Sequence, residues 1–161
     1  MTQQRAYIGL GANLGDAAAT VAAAMQALGR LPQTNLVARS SLYRSAPHQA
    51  SGPDYINAVV ELRTELAPLA LLLELQNIEQ QHSRTRPYHH APRTLDLDLL
   101  LLGDEVLNTR ELCLPHPRLH LRAFVLRPLM EIAPTLVAPG LGRIMPWLKT
   151  VADQGVEILR A

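Results

Sequence analysis

Residues 92–103, with the sequence PRTLDLDLLLLG, constrain the fold of this chain more than any other stretch. Alternating polar and apolar residues give way to an apolar run, which predicts a β-strand that ends in a tight turn at Gly103 and Asp104. Successive side chains of a strand point to opposite faces of the sheet. The expected faces are Leu95, Leu97, Leu99 and Leu101 on one side, and Asp96, Asp98, Leu100 and Leu102 on the other.

Asp96 and Asp98 are thus neighbours on one face of this strand, with Cα atoms roughly 6.6 Å apart at about 3.3 Å of rise per residue. Carboxylates this close repel each other, and a bound cation removes that repulsion. One or two carboxylates, with water and substrate phosphate completing the coordination shell, suit Mg²⁺. The alternative to a metal site is a half-exposed strand with a polar face. The residues before the strand favour the metal site.

The segment before the strand, residues 82–93, contains three arginines, three histidines and two prolines without an apolar period. This composition predicts a loop that brings Arg93 to within three residues of Asp96. Guanidinium groups bind phosphate bidentately, so a basic loop beside an acidic pair suits a metal-bound polyphosphate. A solvated run of charges is the alternative. The only lysine, Lys149, follows leucine and not glycine, which excludes a P-loop.

Composition indicates one intracellular domain spanning residues 1–161. Apolar residues make up 48% of the chain and charged residues 18%, which is typical of a globular protein. A net charge of +1 gives no reason to expect a nucleic-acid or membrane partner. Cys113 is the only cysteine, which excludes an internal disulfide and a cysteine-rich zinc site. Without a signal peptide or an apolar run long enough to span a bilayer, the chain is expected to be cytoplasmic.

The order of predicted elements indicates an α+β fold. Strands are predicted over 6–11, 35–45, 54–63 and 95–102, and helices from an Asp16 cap to about residue 28 and over 69–81. A return strand at 105–108, helices over 118–132 and 144–153, and a strand at 156–159 follow. The βαββαβ order predicts a ferredoxin-like α/β sandwich, with a mainly antiparallel sheet, flanking helices and a C-terminal extension.

Three other motifs are weaker. The glycines of residues 9–15 do not fit a dinucleotide-binding loop, since Leu14 stands where glycine is required. His116 and His120 are four residues apart, but no glutamate follows His116, so a zinc site is not expected. Tyr55 and Asn57 share a strand face, where they could bind a flat heterocycle or be a buried tyrosine and a capping asparagine.

With these motifs in place, the chain resembles the 6-hydroxymethyl-7,8-dihydropterin pyrophosphokinase family of folate synthesis. The strongest match is HHAPRTLDLDLL at residues 89–100. YIGLGANLG at 7–15, SLYRSAP at 41–47, PDYIN at 53–57 and LPHP at 114–117 follow the family order around it. The chain departs from the family in lacking the usual aromatic of the catalytic loop, for which Tyr88 or His90 could substitute, and in having Pro117 where many members have tyrosine.

The resemblance implies transfer of pyrophosphate from ATP to the pterin hydroxymethyl group, with release of AMP. We expect the protein to act as a monomer. Asp96 and Asp98 would bind two Mg²⁺ ions, and Arg84 and Arg93 would neutralise charge on the transferred group. The remaining implied site residues are Gln76, Glu79, Arg86, His116 and Arg122 on the nucleotide side, and Ser45, Tyr55, Asn57 and Phe124 around the pterin.

Two other classes compete with this interpretation. An Asp-x-Asp metal phosphatase would use an aspartate nucleophile, but that chemistry usually lies on a parallel α/β sheet. A ferredoxin-like module that binds single-stranded nucleic acid needs exposed aromatic residues and a basic face. Aromatic residues make up 4% of this chain and its charge is near neutral, which disfavours such a module.

Overall fold

A computed structural model describes residues 3–47, 52–83 and 95–159. Its centre is a six-stranded sheet in the order β10-β3-β4-β1-β5, with β2 pairing the second half of β4. The strands of this sheet are β1 Gln4–Ala12, β2 Thr34–Arg39, β3 Tyr43–Ser45, β4 Tyr55–Thr64, β5 Asp96–Leu102 and β10 Val156–Ile158. Every strand pairing in the described part is antiparallel.

Helices cover both faces of the sheet. They are α1 Ala17–Gly29, α2 Pro68–Ser83 and α3 Ala123–Ile132, followed by a 3₁₀ helix at Met145–Val151. One core, which we call the α1/α2 core, packs α1 and α2 against side chains such as Ile8 and Leu62. The other, the α3 core, packs α3 and the 3₁₀ helix against side chains such as Tyr7 and Val59. The predicted α+β class, with a mainly antiparallel sheet and flanking helices, is confirmed.

The short hairpins β6 Leu107–Asn108 with β7 Cys113–Leu114, and β8 Val137–Ala138 with β9 Gly142–Arg143, complete the extension after β5. None of the described helices has the length and apolar character needed to cross a membrane.

Several boundaries differ from the prediction. The strand predicted over 35–45 is two strands, because the Ser40 hydroxyl accepts the backbone N–H of Val59 and interrupts the ladder. The helix predicted over 118–132 begins only at Ala123, because residues 117–121 form turns and Arg122 has an extended backbone. At the other end of the fold, Asp16 caps α1 as expected, accepting from the Ala19 N–H at 3.1 Å.

The strict alternation predicted along β5 is wrong beyond Leu99. The pairing with β1 shifts between Tyr7 and Ile8, so that Leu100 is an extra residue in β5. This β-bulge reverses the alternation. Leu100 and Leu101 therefore both lie in the α3 core, and Leu102 joins the α1/α2 core with the odd-numbered leucines before it. Asp96 and Asp98 precede the bulge and remain on one face.

Glu131 at the end of α3 connects that helix to the chain entering β3. Its carboxylate accepts the Ser41 N–H at 3.0 Å, the Ser41 hydroxyl at 2.8 Å and the Tyr43 hydroxyl at 2.7 Å. Burial, together with the hydrogen bond to Glu131, raises the pKa of Tyr43 to about 12, so this tyrosine is a neutral donor at ordinary pH. The contact holds α3 close to β3, which carries Ser45.

Candidate active site

The candidate site lies on the α3 side of the sheet, where β1 passes between β4 and β5. Gly11 of β1 pairs with Asn57 of β4 and with Asp96 of β5, and Gly9 pairs with Val59 and Asp98. Paired residues of antiparallel strands point to the same face. Since glycine has no side chain, the strand surface is low at Gly9, where the Leu100 side chain packs, and at Gly11, which Asn57 Nδ2 approaches. We call this stretch of β1 the glycine trough. Asn57 and Asp96 face each other across it, with their strands about 9.6 Å apart at two interstrand spacings.

Asp96 and Asp98 form the β5 side of the glycine trough, with Asp96 exposed and Asp98 half-buried. In the part of the chain described, no group of three or more histidine, cysteine, aspartate or glutamate side chains could hold a metal ion. Among the described residues, the donors at this position are the two carboxylates of Asp96 and Asp98. Such a set fits a hard cation that takes its remaining ligands from water and phosphate, as Mg²⁺ does, and does not fit a protein-enclosed zinc site.

Two of the residues implied for the nucleotide side contact the outer edge of β5, one before and one after Asp98. The Glu79 carboxylate of α2 accepts the backbone N–H of Leu97 at 2.7 Å. The backbone N–H of His116 is donated to the Leu100 carbonyl, in the bulge, at 2.9 Å. Both residues therefore lie beside the carboxylate pair, and Gln76, three residues before Glu79 on α2, is exposed on a neighbouring turn.

His116 has a neutral imidazole poised to donate. Burial lowers the pKa of His116; the charge of Asp98 opposes this, while Arg122 and Arg118 add to it. Its Nδ1 accepts the backbone N–H of Arg118 at 3.1 Å. A neutral imidazole whose Nδ1 accepts carries its proton on Nε2, so Nε2 is the atom that can donate to a ligand.

The residues implied around the pterin form the opposite side of the trough. The Ser45 hydroxyl donates to Asn57 Oδ1 at 2.7 Å, and Ser45 pairs with the half-buried Tyr55 across β3 and β4. Asn57 is 4% exposed and lies inside β4, so it is not a capping residue. Its Nδ2 lies over Gly11, 3.2 Å from where a Cβ would be. The amide edge therefore borders the trough in a fixed orientation.

Arg122 and Phe124 meet at the start of α3. The Arg122 guanidinium carbon lies 5.5 Å from the centroid of the Phe124 ring, a cation–π distance. Arg122 occupies the N-cap position in an extended conformation, without capping the helix through its side chain. A residue implied for the nucleotide and one implied for the pterin are thus adjacent.

Three predicted site residues, Arg84, Arg86 and Arg93, lie outside the described residues, as do Tyr88 and His90. Sequence reasoning placed Gly9 and Gly11 in a strand and in a family motif, but missed their contribution to the site. The signal was present: glycines at alternate positions of a strand leave one face of that strand bare. It also missed Arg118, whose backbone bond sets the His116 ring.

A second cleft, of about 830 Å³, opens at the other end of the same strands. Its lining includes Arg5, Tyr7, Glu61 and Arg63. None of the predicted site residues that the structure describes lines this cleft. The carboxylate pair and the fixed amide border the glycine trough, with His116 at the outer edge of β5, so this end of the sheet is the candidate active site.

Comparison with known proteins agrees with this assignment of chemistry. Residues 7–134 match the family model for 7,8-dihydro-6-hydroxymethylpterin-pyrophosphokinase. The chain is 46% identical over 149 residues to the 2-amino-4-hydroxy-6-hydroxymethyldihydropteridine pyrophosphokinase of Haemophilus influenzae, covering 92% of this chain and 93% of that protein. It is also 46% identical over 158 residues to the Pseudomonas aeruginosa protein of that name, covering 97% of each.

Solved structures show the same fold in larger proteins. The wild-type Plasmodium falciparum HPPK-DHPS superimposes with a TM-score of 0.72 at 13% identity, over 94% of this chain and 42% of that one. Its complex with pterin and p-hydroxybenzoate gives 0.74 over 94% and 44%. This chain thus spans less than half the length of those two structures. On the family match and the bacterial relatives, the chain belongs to the 7,8-dihydro-6-hydroxymethylpterin-pyrophosphokinase family.

Proposed function

We propose that this protein transfers the pyrophosphoryl group of ATP to the hydroxymethyl oxygen of 6-hydroxymethyl-7,8-dihydropterin, a step of folate synthesis. The observation that carries the proposal is the glycine trough, which has an amide edge for a flat ring on one side and a carboxylate pair for a metal-bound polyphosphate on the other. The names of the bacterial relatives describe the same reaction.

In the reaction, the hydroxymethyl oxygen bonds to the β-phosphorus, and the bond from that phosphorus to the oxygen bridging the α-phosphate breaks, so that AMP leaves. Phosphoryl transfer depends mainly on positioning and on stabilising charge. Asp96 and Asp98 are proposed to hold two Mg²⁺ ions, which when bound neutralise and align the phosphates. Arg84 and Arg93, through the family resemblance alone, are proposed to add positive charge at the transferred group.

On the nucleotide side, we assign a donated hydrogen bond from His116 Nε2 and a positive charge from Arg122. Gln76 is assigned there on its exposed position on α2, and Arg86 on the family resemblance. Around the pterin, Asn57 reads the ring edge through its amide, with its orientation fixed by Ser45. Tyr55 borders the same pocket, and Phe124 provides a ring face for stacking.

We further propose that residues 1–161 act as one pyrophosphokinase domain and as a monomer in the cytoplasm. Both cores are built on a single sheet from elements of one chain. One cysteine in 161 residues is typical of a reducing compartment. The antiparallel sheet offers no support for the phosphatase alternative, which was expected on a parallel one.

The test is AMP release from Mg-ATP, measured with and without 6-hydroxymethyl-7,8-dihydropterin, for the wild type and for Asp96→Ala. We expect pterin-dependent AMP from the wild type and its loss in the variant. ADP or inorganic phosphate as the product would mean a different transfer reaction. AMP formation that persists in the variant would remove Asp96 from the metal site.

A further inference from the structure

The outer edge of β5 has no neighbouring strand in the described part of the chain. This strand ends the sheet order β10-β3-β4-β1-β5, so its ladder partner β1 lies on one side only. Backbone groups that point outward from an edge strand need a partner from elsewhere. For Leu97 that partner is the Glu79 carboxylate, which accepts its N–H at 2.7 Å.

The position of this hydrogen bond is what matters. Leu97 is the residue between Asp96 and Asp98, and its side chain is 6% exposed in the α1/α2 core. Burial fixes the side chain of Leu97 on one face, and the bond to Glu79 fixes its peptide within the plane of the sheet. Together they keep Asp96 and Asp98 side by side on the face of the glycine trough.

We propose that Glu79 is a positioning residue, which stands in for a missing strand at β5 and sets the geometry of the Asp96 and Asp98 pair. The proposal rests on the proposed function and replaces the direct nucleotide contact that the family resemblance implies for this residue. Glu79 lies in the last turns of α2, so the same bond ties the end of α2 to the start of β5.

In this role, Glu79 acts through the carboxylate oxygen that accepts the Leu97 N–H. The oxygen that accepts from Leu97 is present in both glutamate and glutamine, whereas the negative charge is present only in glutamate. Glu79→Gln is therefore expected to keep the function that Glu79→Ala loses. A residue that acted by binding a cation through its charge would lose it in both variants.

The experiment titrates Mn²⁺ into the wild type, Glu79→Ala and Glu79→Gln in the presence of α,β-methylene-ATP, and follows amide hydrogen exchange of Leu97 in each protein. We expect Glu79→Ala to weaken cation binding by about 10- to 100-fold, as for outer ligand-orienting partners, and to speed exchange at Leu97. Glu79→Gln should stay within about threefold of the wild type in both measurements.

Two control variants separate positioning from general effects. Glu74→Ala removes a carboxylate from the same helix, away from β5, and should change neither measurement. Thr64→Val breaks the buried hydroxyl pair with Thr34 and lowers stability at a distance, without changing Mn²⁺ affinity. Both readouts work without pterin turnover, so they do not depend on the proposed reaction.

The proposal is overturned if Glu79→Gln is as impaired as Glu79→Ala, or if the Leu97 amide stays protected in Glu79→Ala. Unchanged Mn²⁺ affinity in Glu79→Ala would overturn it equally.

Discussion

The sheet face that packs against α3 has two ends, both formed by β4, β1 and β5. The polar groups at these two ends have different surroundings. At the trough end, β1 carries Gly9 and Gly11, and Asn57 of β4 and the two aspartates of β5 lie on either side of them. At the far end, β1 carries Tyr7, whose hydroxyl donates to the buried Glu61 at 3.1 Å. The Arg5 guanidinium lies 3.9 Å from the same carboxylate.

The difference shows how a carboxylate can serve either binding or stability on one scaffold. Glu61 is 8% exposed, and its carboxylate is compensated by the Tyr7 hydroxyl and the Arg5 guanidinium. It therefore contributes to the stability of the folded state. Asp98 lies beside Asp96 and pairs with Gly9 across the ladder, and a bound cation with its phosphate is expected to reduce the repulsion between the two carboxylates. A buried carboxylate that is hydrogen-bonded within the chain adds to its stability, whereas two neighbouring carboxylates at a strand end suit the binding of a cation.

The largest effects should come from removing the two compared carboxylates, Asp98 and Glu61, in separate variants. Asp98→Ala is expected to lower kcat for AMP formation by at least about 10²-fold, since it removes a metal ligand, with little change in the free energy of unfolding. Glu61→Ala should do the reverse, because it leaves the Tyr7 hydroxyl buried without its acceptor, at about 1–3 kcal/mol. Steady-state kinetics and urea unfolding of both variants provide the test.

If Asp98→Ala destabilised the fold as much as Glu61→Ala does, or Glu61→Ala lost activity at full stability, the division between the two ends would not hold.

The next effect concerns the far end alone. Tyr7→Phe removes the donor to Glu61 and should lower the free energy of unfolding by about 1–3 kcal/mol at pH 7, with AMP formation unchanged. Burial first, and then the charge and hydrogen bond of Glu61, raise the pKa of Tyr7 to about 12. This contribution to stability is therefore complete below about pH 10, the pKa of an unfolded tyrosine, and is lost as the pH rises through about 12.

Urea unfolding at pH 7, 9 and 11 checks both parts of the prediction. The difference between wild type and Tyr7→Phe should be constant up to pH 9 and smaller at pH 11. A difference that grew with pH would show that Tyr7 is more acidic in the folded state.

Much of the trough end could be predicted from the sequence because its information is local. The alternation at Asp96 and Asp98 places both carboxylates on one face, and the structure keeps them there. The strand carrying Tyr55 and Asn57 was predicted within a residue or two of its ends. These features depend on period and composition within one segment, which a sequence displays directly.

The features that could not be predicted from the sequence depend on contacts between segments that are far apart in the chain. The bulge at Leu100 arises where β5 adjusts its register to β1, and its carbonyl is used by His116, sixteen residues later. The bond from Leu97 to Glu79 joins two elements whose pairing no local pattern indicates. Similarly, the late start of α3 follows from turns around His116, although the apolar period of a helix begins earlier.

The smallest effect tests the glycine trough itself. An alanine Cβ at Gly11 would lie 3.2 Å from Asn57 Nδ2, closer than an ordinary contact, so the amide must move by a few tenths of an ångström. Asn57 is held by Ser45 at 2.7 Å, and displacement disturbs the edge that we assign to the pterin. Gly11→Ala should raise KM for the pterin about tenfold, or about 1.4 kcal/mol, at the lower end of overpacking costs, with KM for ATP unchanged.

Gly9→Ala is the matched control, because its Cβ would meet only the Leu100 side chain, at 3.6 Å, an ordinary van der Waals distance. Kinetics with each substrate varied in turn should show a rise in KM for the pterin in Gly11→Ala that exceeds the one in Gly9→Ala. Equal rises would mean that the whole strand surface is sensitive to any side chain. A rise in KM for ATP in Gly11→Ala would place the nucleotide, and not the pterin, against Asn57.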